Sequence, residues 1–161
     1  MKTTKNNGQA TATKANNEKK SPAQVFTYNG TTFKMSATFK GYKTGVFGDR
    51  DNLTRPAFVV TISSDNGRTR FNFYASYNDY KNRVRELDRA GMRNALECFI
   101  SDGMSYENAY NFIEFCDEFG YNTDSRRARQ IYDACGRHHE AAARVLGEDY
   151  GEIWNAIQDE Q

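Results

Sequence analysis

The hydrophobic period of this chain changes once, at Ser76, and that change constrains the fold more than any other feature. Upstream, Phe33, Met35, Ala37 and Phe39 alternate with Thr32, Lys34, Ser36, Thr38 and Lys40, and Phe58, Val60 and Ile62 repeat the pattern after Pro56. Alternation sends successive side chains to opposite faces of a strand, so one face of a sheet is apolar. Downstream the steps become three and four: Tyr77, Tyr80, Val84 and Leu87, then Met92, Ala95, Leu96, Phe99 and Ile100. That is the spacing of one helix face. Strands gathered first and helices second predict an α+β fold rather than alternating βα units.

Turn chemistry divides the two halves further. Asn29-Gly30 follows Val25-Phe26-Thr27-Tyr28 and signals a hairpin, because both turn residues must tolerate positive φ. Residues 41–55 read as a loop. Asp65-Asn66-Gly67 makes a second tight turn, and Phe71 and Phe73 lie on the returning strand, giving two antiparallel hairpins. Ser76 with Asp79 resembles a capping box. Gly91 interrupts the first helical stripe, Asp102-Gly103 ends it, and Ser105 caps a helix through Tyr106, Ala109, Tyr110, Ile113 and Cys116 that Gly120 terminates. Asp124 or Ser125 starts a helix running to Leu146 and stopped by Gly147, and Tyr150, Ile153, Trp154 and Ile157 mark a short acidic amphipathic piece. The expected layout is a disordered basic tail over 1–22 and one domain over 23–161. Its β part spans 24–75, and four to five helices follow over 76–158.

Charge bears on partners. The chain carries +1 overall, but residues 1–20 hold five Lys against Glu18, a local +4 that leaves −3 for the remainder. A body of that balance is unlike a dedicated DNA binder, whose body is usually basic. No apolar run approaches the roughly 18 residues of a membrane span. The first 20 residues hold no apolar signal core, and the three cysteines are odd in number. Reduced thiols and a cytosolic setting are therefore expected.

Catalytic constellations are thin. Cys116 and Cys135 fall on apolar helical stripes, where a free thiol acts as a small hydrophobe. His138 and His139 are consecutive, hence about 100° apart on a helix, and cannot both serve one site. No Cys pair has zinc-knuckle spacing, and Asp49-Arg50-Asp51 lacks the other ligands of a calcium loop. The paired carboxylates Asp117-Glu118 and Glu148-Asp149 read as solvated surface. Neither a cofactor nor a catalytic residue is expected. An enzyme would have to rest on Cys116, His138 or His139.

The basic residues form a more specific pattern. Lys81, Arg85, Arg89 and Arg93 recur every four positions, a drift of about 40° per step, so they form one ridge if a single helix runs through Gly91. Arg126 and Arg127 open the helix after Asp124. Arg ridges suit bidentate recognition of phosphate or carboxylate. The competing reading is a solvated face neutralised by Asp79, Glu86 and Asp88.

The run Phe112-Ile113-Glu114-Phe115-Cys116-Asp117-Glu118-Phe119-Gly120-Tyr121, followed by Asp124-Ser125-Arg126 and Ala128, resembles a group of small bacteriophage, prophage and mobile-element proteins. In that group a β region ending in Phe-x-Phe, here Phe71-Asn72-Phe73, precedes a helical half with the pattern F-C-x-E-F-G-Y-x-x-D-S-R-x-A. The resemblance covers roughly residues 30–135. It implies an early accessory protein with anti-CRISPR or other anti-defence activity, working in the host cytoplasm. The implied partner is a CRISPR effector nuclease, with or without its guide RNA; the alternative is a nucleic-acid-binding accessory module. For the inhibitor Lys81, Arg85, Arg89, Arg93, Arg126 and Arg127 are the expected contacts; for the nucleic-acid module they are the Lys81/Arg85/Arg89/Arg93 ridge and the basic tail. The motif itself reads as structure: Phe112, Phe115 and Phe119 pack, Gly120 caps, and Asp124 or Ser125 starts the next helix.

Overall fold

A computed structural model describes residues 18–48 and 51–161. The chain is α+β. Four strands, β1 (Lys20–Tyr28), β2 (Thr31–Thr44), β3 (Thr54–Ser64) and β4 (Gly67–Tyr74), form one antiparallel sheet in the order β1-β2-β3-β4. Five helices follow among the described residues: α1 (Tyr77–Lys81), α2 (Arg89–Asn108), α3 (Phe112–Phe119), α4 (Arg126–Leu146) and α5 (Gly151–Glu160).

The hairpin turns form as their residues dictate. Asn29 and Gly30 sit at φ 51° and 79°, both positive, as a two-residue primed turn requires. Along β2 the alternation is realised: Phe33, Met35, Ala37 and Phe39 are buried while Lys34 and Lys40 are exposed.

Two strands run further than the sequence pattern predicts. β1 begins at Lys20, so residues 20–22 of the expected tail are strand, and only residues 1–17 of it lie outside the described residues. Lys20-Ser21-Pro22-Ala23-Gln24 has no apolar alternation. What orders it is pairing: the Phe39 amide donates to the Lys19 carbonyl at 2.7 Å, and the buried Ser21 hydroxyl accepts from the Leu87 amide at 2.8 Å. Pro22 is tolerated because β1 is an edge strand. Likewise β2 continues to Thr44 and β3 starts at Thr54, within the span expected to be loop. Tyr42, Lys43 and Thr44 are all exposed, so no in–out pattern announces them. Thr44 and Thr54 instead share a hydroxyl hydrogen bond at 2.7 Å, and the Gly45 amide donates to Leu53.

The helical half also departs from expectation in two places. The capping box forms: Ser76 accepts from the Asp79 amide, and Asp79 accepts from the Ser76 amide. But α1 ends at Lys81, and the chain is not helical again until Arg89, so the break falls over 82–88 rather than at Gly91, which lies inside α2. Asp102-Gly103 does not end a helix either. α2 continues to Asn108, and the Ser105 hydroxyl bonds back to the Ser101 carbonyl instead of capping. Gly103 serves packing instead, since a Cβ there would lie 2.8 Å from the Tyr150 hydroxyl and 3.2 Å from the His139 Cα. Its missing side chain is what allows α2 to approach α4 and the start of α5. Downstream, Gly120 (φ 73°) closes α3, Ser125 caps α4 by accepting from the Ala128 amide, and Gly147 stops α4.

The described residues divide into two compact units, each drawing on the sheet. In the first (18–24, 35–48, 51–61 and 70–92), Met35, Ala37, Phe39, Phe58, Val60, Phe71, Phe73, Leu87 and Met92 are buried. In the second (25–34, 62–69 and 93–161), Phe26, Phe33, Ile62, Leu96, Phe99, Ile100, Phe115, Val145, Leu146, Tyr150, Ile153 and Ile157 are buried. Within this second unit the end of α5 is tied down by Glu160, which accepts from Tyr28 and from Arg93, each at 3.0 Å. The three cysteines are free thiols, and no helix among the described residues is long and apolar enough to cross a membrane.

Candidate functional site

The break after α1 builds the most distinctive surface feature of the first unit. Asn82 closes α1, and Arg83 then takes φ 57°, a left-handed conformation that a side chain with a Cβ rarely adopts. Two backbone bonds fix it there: the Arg83 amide donates to Tyr80 at 3.0 Å and the Val84 amide to Asp79 at 2.9 Å. This tight turn brings Tyr80, Lys81, Arg83 and Arg85 to one side of an open cavity of about 930 Å³. The rest of its wall comes from the end of β2, with Phe39, Lys40, Gly41 and Tyr42, and from Glu18. Gly41 (φ 100°) is needed at that wall, since no other residue follows such a dihedral without strain.

The lining combines aromatic rings with cations. Phe39 is buried, with its ring edge-to-face against Phe58 and Tyr42 at centroid distances of 5.6 and 5.1 Å. Tyr42 is in turn edge-to-face with Tyr80 at 5.1 Å, so its orientation is set from two sides while 37 % of its surface stays open. The Arg85 guanidinium lies over the Phe39 ring at 5.4 Å, and the Lys81 ammonium over the Tyr77 ring at 5.6 Å. Lys40 is neutralised by Glu18 at 2.9 Å. Among the described residues no carboxylate pairs with Lys81, Arg83 or Arg85. Lys81, Arg83 and Arg85 therefore line one cavity whose single lining carboxylate, Glu18, is paired with Lys40. Such an arrangement holds anions.

Lys81, Arg85, Arg89 and Arg93 do not share one helix. The helix that a continuous ridge needs is interrupted over 82–88, so the four-residue spacing no longer implies a shared face. Lys81 and Arg85 do meet, but across a turn. Arg89, the first residue of α2, donates to the Gln24 side chain at 3.4 Å. Arg93 belongs to the second unit, where Glu160 holds it. Arg126 and Arg127 open α4, also in the second unit, and neither lines this cavity. The residue that sequence reasoning missed is Arg83. Its signal was faint: it follows Asn82 immediately after a five-residue helical stripe, where an αL terminator is common.

The other candidates resolve into separate, local roles. His138 bonds Asp102 at 3.1 Å and His139 bonds the Tyr150 hydroxyl at 2.8 Å, so the adjacent imidazoles do face different partners. Burial, and then the charge of Glu107 and a hydrogen bond to it, raise the Tyr150 phenol above its ordinary range. Cys116 and Cys135 are buried, and burial first, with the charge of Asp102 second, pushes the Cys135 thiol up to about 12. A thiol so shifted is a poor nucleophile at neutral pH. Asp51 organises its own loop, accepting from the Phe47 and Leu53 amides. Among the described residues no group of three or more His, Cys, Asp or Glu is placed to hold a metal ion. In the run Phe112–Tyr121, Phe115 and Cys116 are buried, Phe112 packs on Tyr132, and the half-exposed Phe119 lies against the Phe115 ring at 4.8 Å. The motif thus shapes the α3–α4 corner.

No family model matches this chain, and neither does any curated protein or solved structure.

Proposed function

We propose that the chain acts by binding and not by catalysis, as an anti-defence protein of a phage or mobile element. In its most specific form it is an anti-CRISPR inhibitor that occupies an effector nuclease or its guide complex in the host cytoplasm. The observation that carries the reading is the convergence of Lys81, Arg83 and Arg85, without carboxylate partners, on an aromatic-walled cavity. A guide complex is a polyanion presented by a protein, and cations held in fixed geometry beside aromatic rings are suited to engage it. The phage-like motif supplies the biological setting, and the buried cysteines and separately partnered histidines favour binding over chemistry.

The same pocket favours a second reading, a nucleic-acid-binding accessory module, which differs in requiring no effector protein. It predicts affinity of the free protein for nucleic acid that falls steeply with salt. Plasmid interference across several CRISPR types tests the first reading. Interference should be suppressed by the native protein in at least one type and restored by the double substitution Lys81→Glu/Arg85→Glu. Undiminished interference in every type refutes it.

A further inference from the structure

We infer that the pocket takes a nucleoside phosphate, its base laid on the open ring of Tyr42 and its phosphate held by Lys81, Arg83 and Arg85. The group is either a free nucleotide or one unit of a single strand. The inference deepens the binding reading above and rests on it only for the location of the site.

Three features of the pocket select this ligand class. The charge is right: Glu18 satisfies Lys40, and the three remaining cations match a phosphate that carries one to two negative charges. Cations alone, however, also suit inorganic phosphate or sulfate. The aromatic wall decides between them. Phe39 is already covered by Arg85, whereas Tyr42 is oriented by Phe39 and Tyr80 and leaves over a third of its surface open beside the cations. A pre-oriented ring adjacent to fixed positive charge is how proteins hold bases and backbone without reading sequence. The size is also right, since about 930 Å³ lies at the upper end of small-ligand pockets and exceeds what an isolated anion needs.

Arg83 adds an argument from backbone energy. It occupies a left-handed position where glycine or asparagine is the unstrained choice, and it lines the cavity. A strained residue in a cleft points to use of its side chain. It also provides an unusual variant, because Arg83→Gly relieves the strain and removes the guanidinium together.

Titration of the full-length protein at low salt with four probes tests this: a nucleoside monophosphate, its unphosphorylated nucleoside, inorganic phosphate, and a fluorescein-labelled ten-residue single strand. The nucleotide should bind at least about tenfold more tightly than nucleoside or phosphate. Tyr42→Ala should weaken nucleotide about tenfold while leaving phosphate affinity unchanged. Arg83→Gly should weaken nucleotide and strand by a similar factor with a melting temperature equal to or above that of the native protein. Tighter binding of the strand than of the nucleotide, with a steep salt dependence, identifies the single strand as the source; equal affinity identifies the free nucleotide. Phosphate binding as tightly as nucleotide, or no binding of nucleotide and strand alike, overturns the inference. If that failure occurs while Lys81→Glu/Arg85→Glu still abolishes CRISPR inhibition, the binding reading stands and only the ligand assignment is lost.

Discussion

Replacing Gly103 by alanine tests the packing of the second unit, because two effects of known size oppose each other there. In an exposed helix interior, Gly→Ala stabilises by about 1 kcal/mol, since alanine loses less backbone entropy on folding. At position 103 the new methyl would stand 2.8 Å from the Tyr150 hydroxyl, 3.2 Å from the His139 Cα and 3.3 Å from the His139 amide nitrogen. Two of these three neighbours are backbone, and Tyr150 is fully buried, so neither side can swing aside. Forcing a methylene-sized group into such a site costs about 1–3 kcal/mol, and the movement would also strain the 2.8 Å bond between His139 and Tyr150. The net expectation is destabilisation by about 0–2 kcal/mol, which for a chain of this length lowers the melting temperature by up to about 8 °C. Thermal melts followed by circular dichroism read this directly. Tyr150→Phe removes the nearest obstacle, so Gly103→Ala should cost less in that background, with a coupling of about 0.5 kcal/mol or more. A higher melting temperature for Gly103→Ala alone would refute the close approach, because only propensity would then be acting.

Three other perturbations have definite outcomes. Ser21→Ala leaves the buried Leu87 amide without its acceptor and should lower stability by about 1–3 kcal/mol in urea melts; an unchanged midpoint would mean the amide is satisfied otherwise. Glu160→Gln should cost under about 1 kcal/mol despite two partners, because its ion pair with Arg93 is largely solvated, and the loss should shrink further at 1 M salt. Burial raises the Cys135 thiol from its ordinary 9.0 to about 12, so the folded state holds that proton more tightly than the unfolded chain does. Stability from this group is complete below pH 9 and declines as pH rises from 9 towards 12; Cys135→Ala should flatten that decline in denaturant melts at pH 8, 9.5 and 10.5, and an unchanged slope refutes the shift.

How far the sequence disclosed this molecule depends on whether side chains or backbone decide each feature. Burial leaves a periodic trace, so Phe33 through Phe39, Phe58 through Ile62 and the helical stripes were legible from residue type alone. The capping residues Ser76, Gly120, Ser125 and Gly147 were legible for the same reason, since only a few residue types can fill each of those positions. Backbone pairing leaves no such trace. Lys20–Gln24 and Tyr42–Thr44 are strand because the backbone beside them pairs with a neighbouring strand, the Phe39 amide donating to the Lys19 carbonyl and the Gly45 amide to the Leu53 carbonyl, and no apolar alternation announces it. Gly103 misled because a helix terminator and a close approach demand the same residue, and only its neighbours distinguish the two.

The pocket shows the same division with a functional consequence. Lys81 and Arg85 stand out on a helical argument, yet they meet because the helix fails between them. With α1 continued through 82–88, a four-residue spacing would place successive cations about 6 Å apart along one solvated face, each screened by water. Ending α1 at Lys81 and reversing the chain through Arg83 instead turns Lys81, Arg83 and Arg85 toward a shared cavity walled by Tyr42 and Tyr80. The left-handed residue that achieves this costs about 1 kcal/mol relative to glycine. Backbone strain alone favours glycine at that position, and among the described residues no hydrogen bond or ion pair of the Arg83 guanidinium offsets it. The substitution Arg83→Gly consequently separates folding from function: if stability and anion binding fall together, Arg83 belongs to the fold, and if stability holds while binding is lost, it belongs to the site.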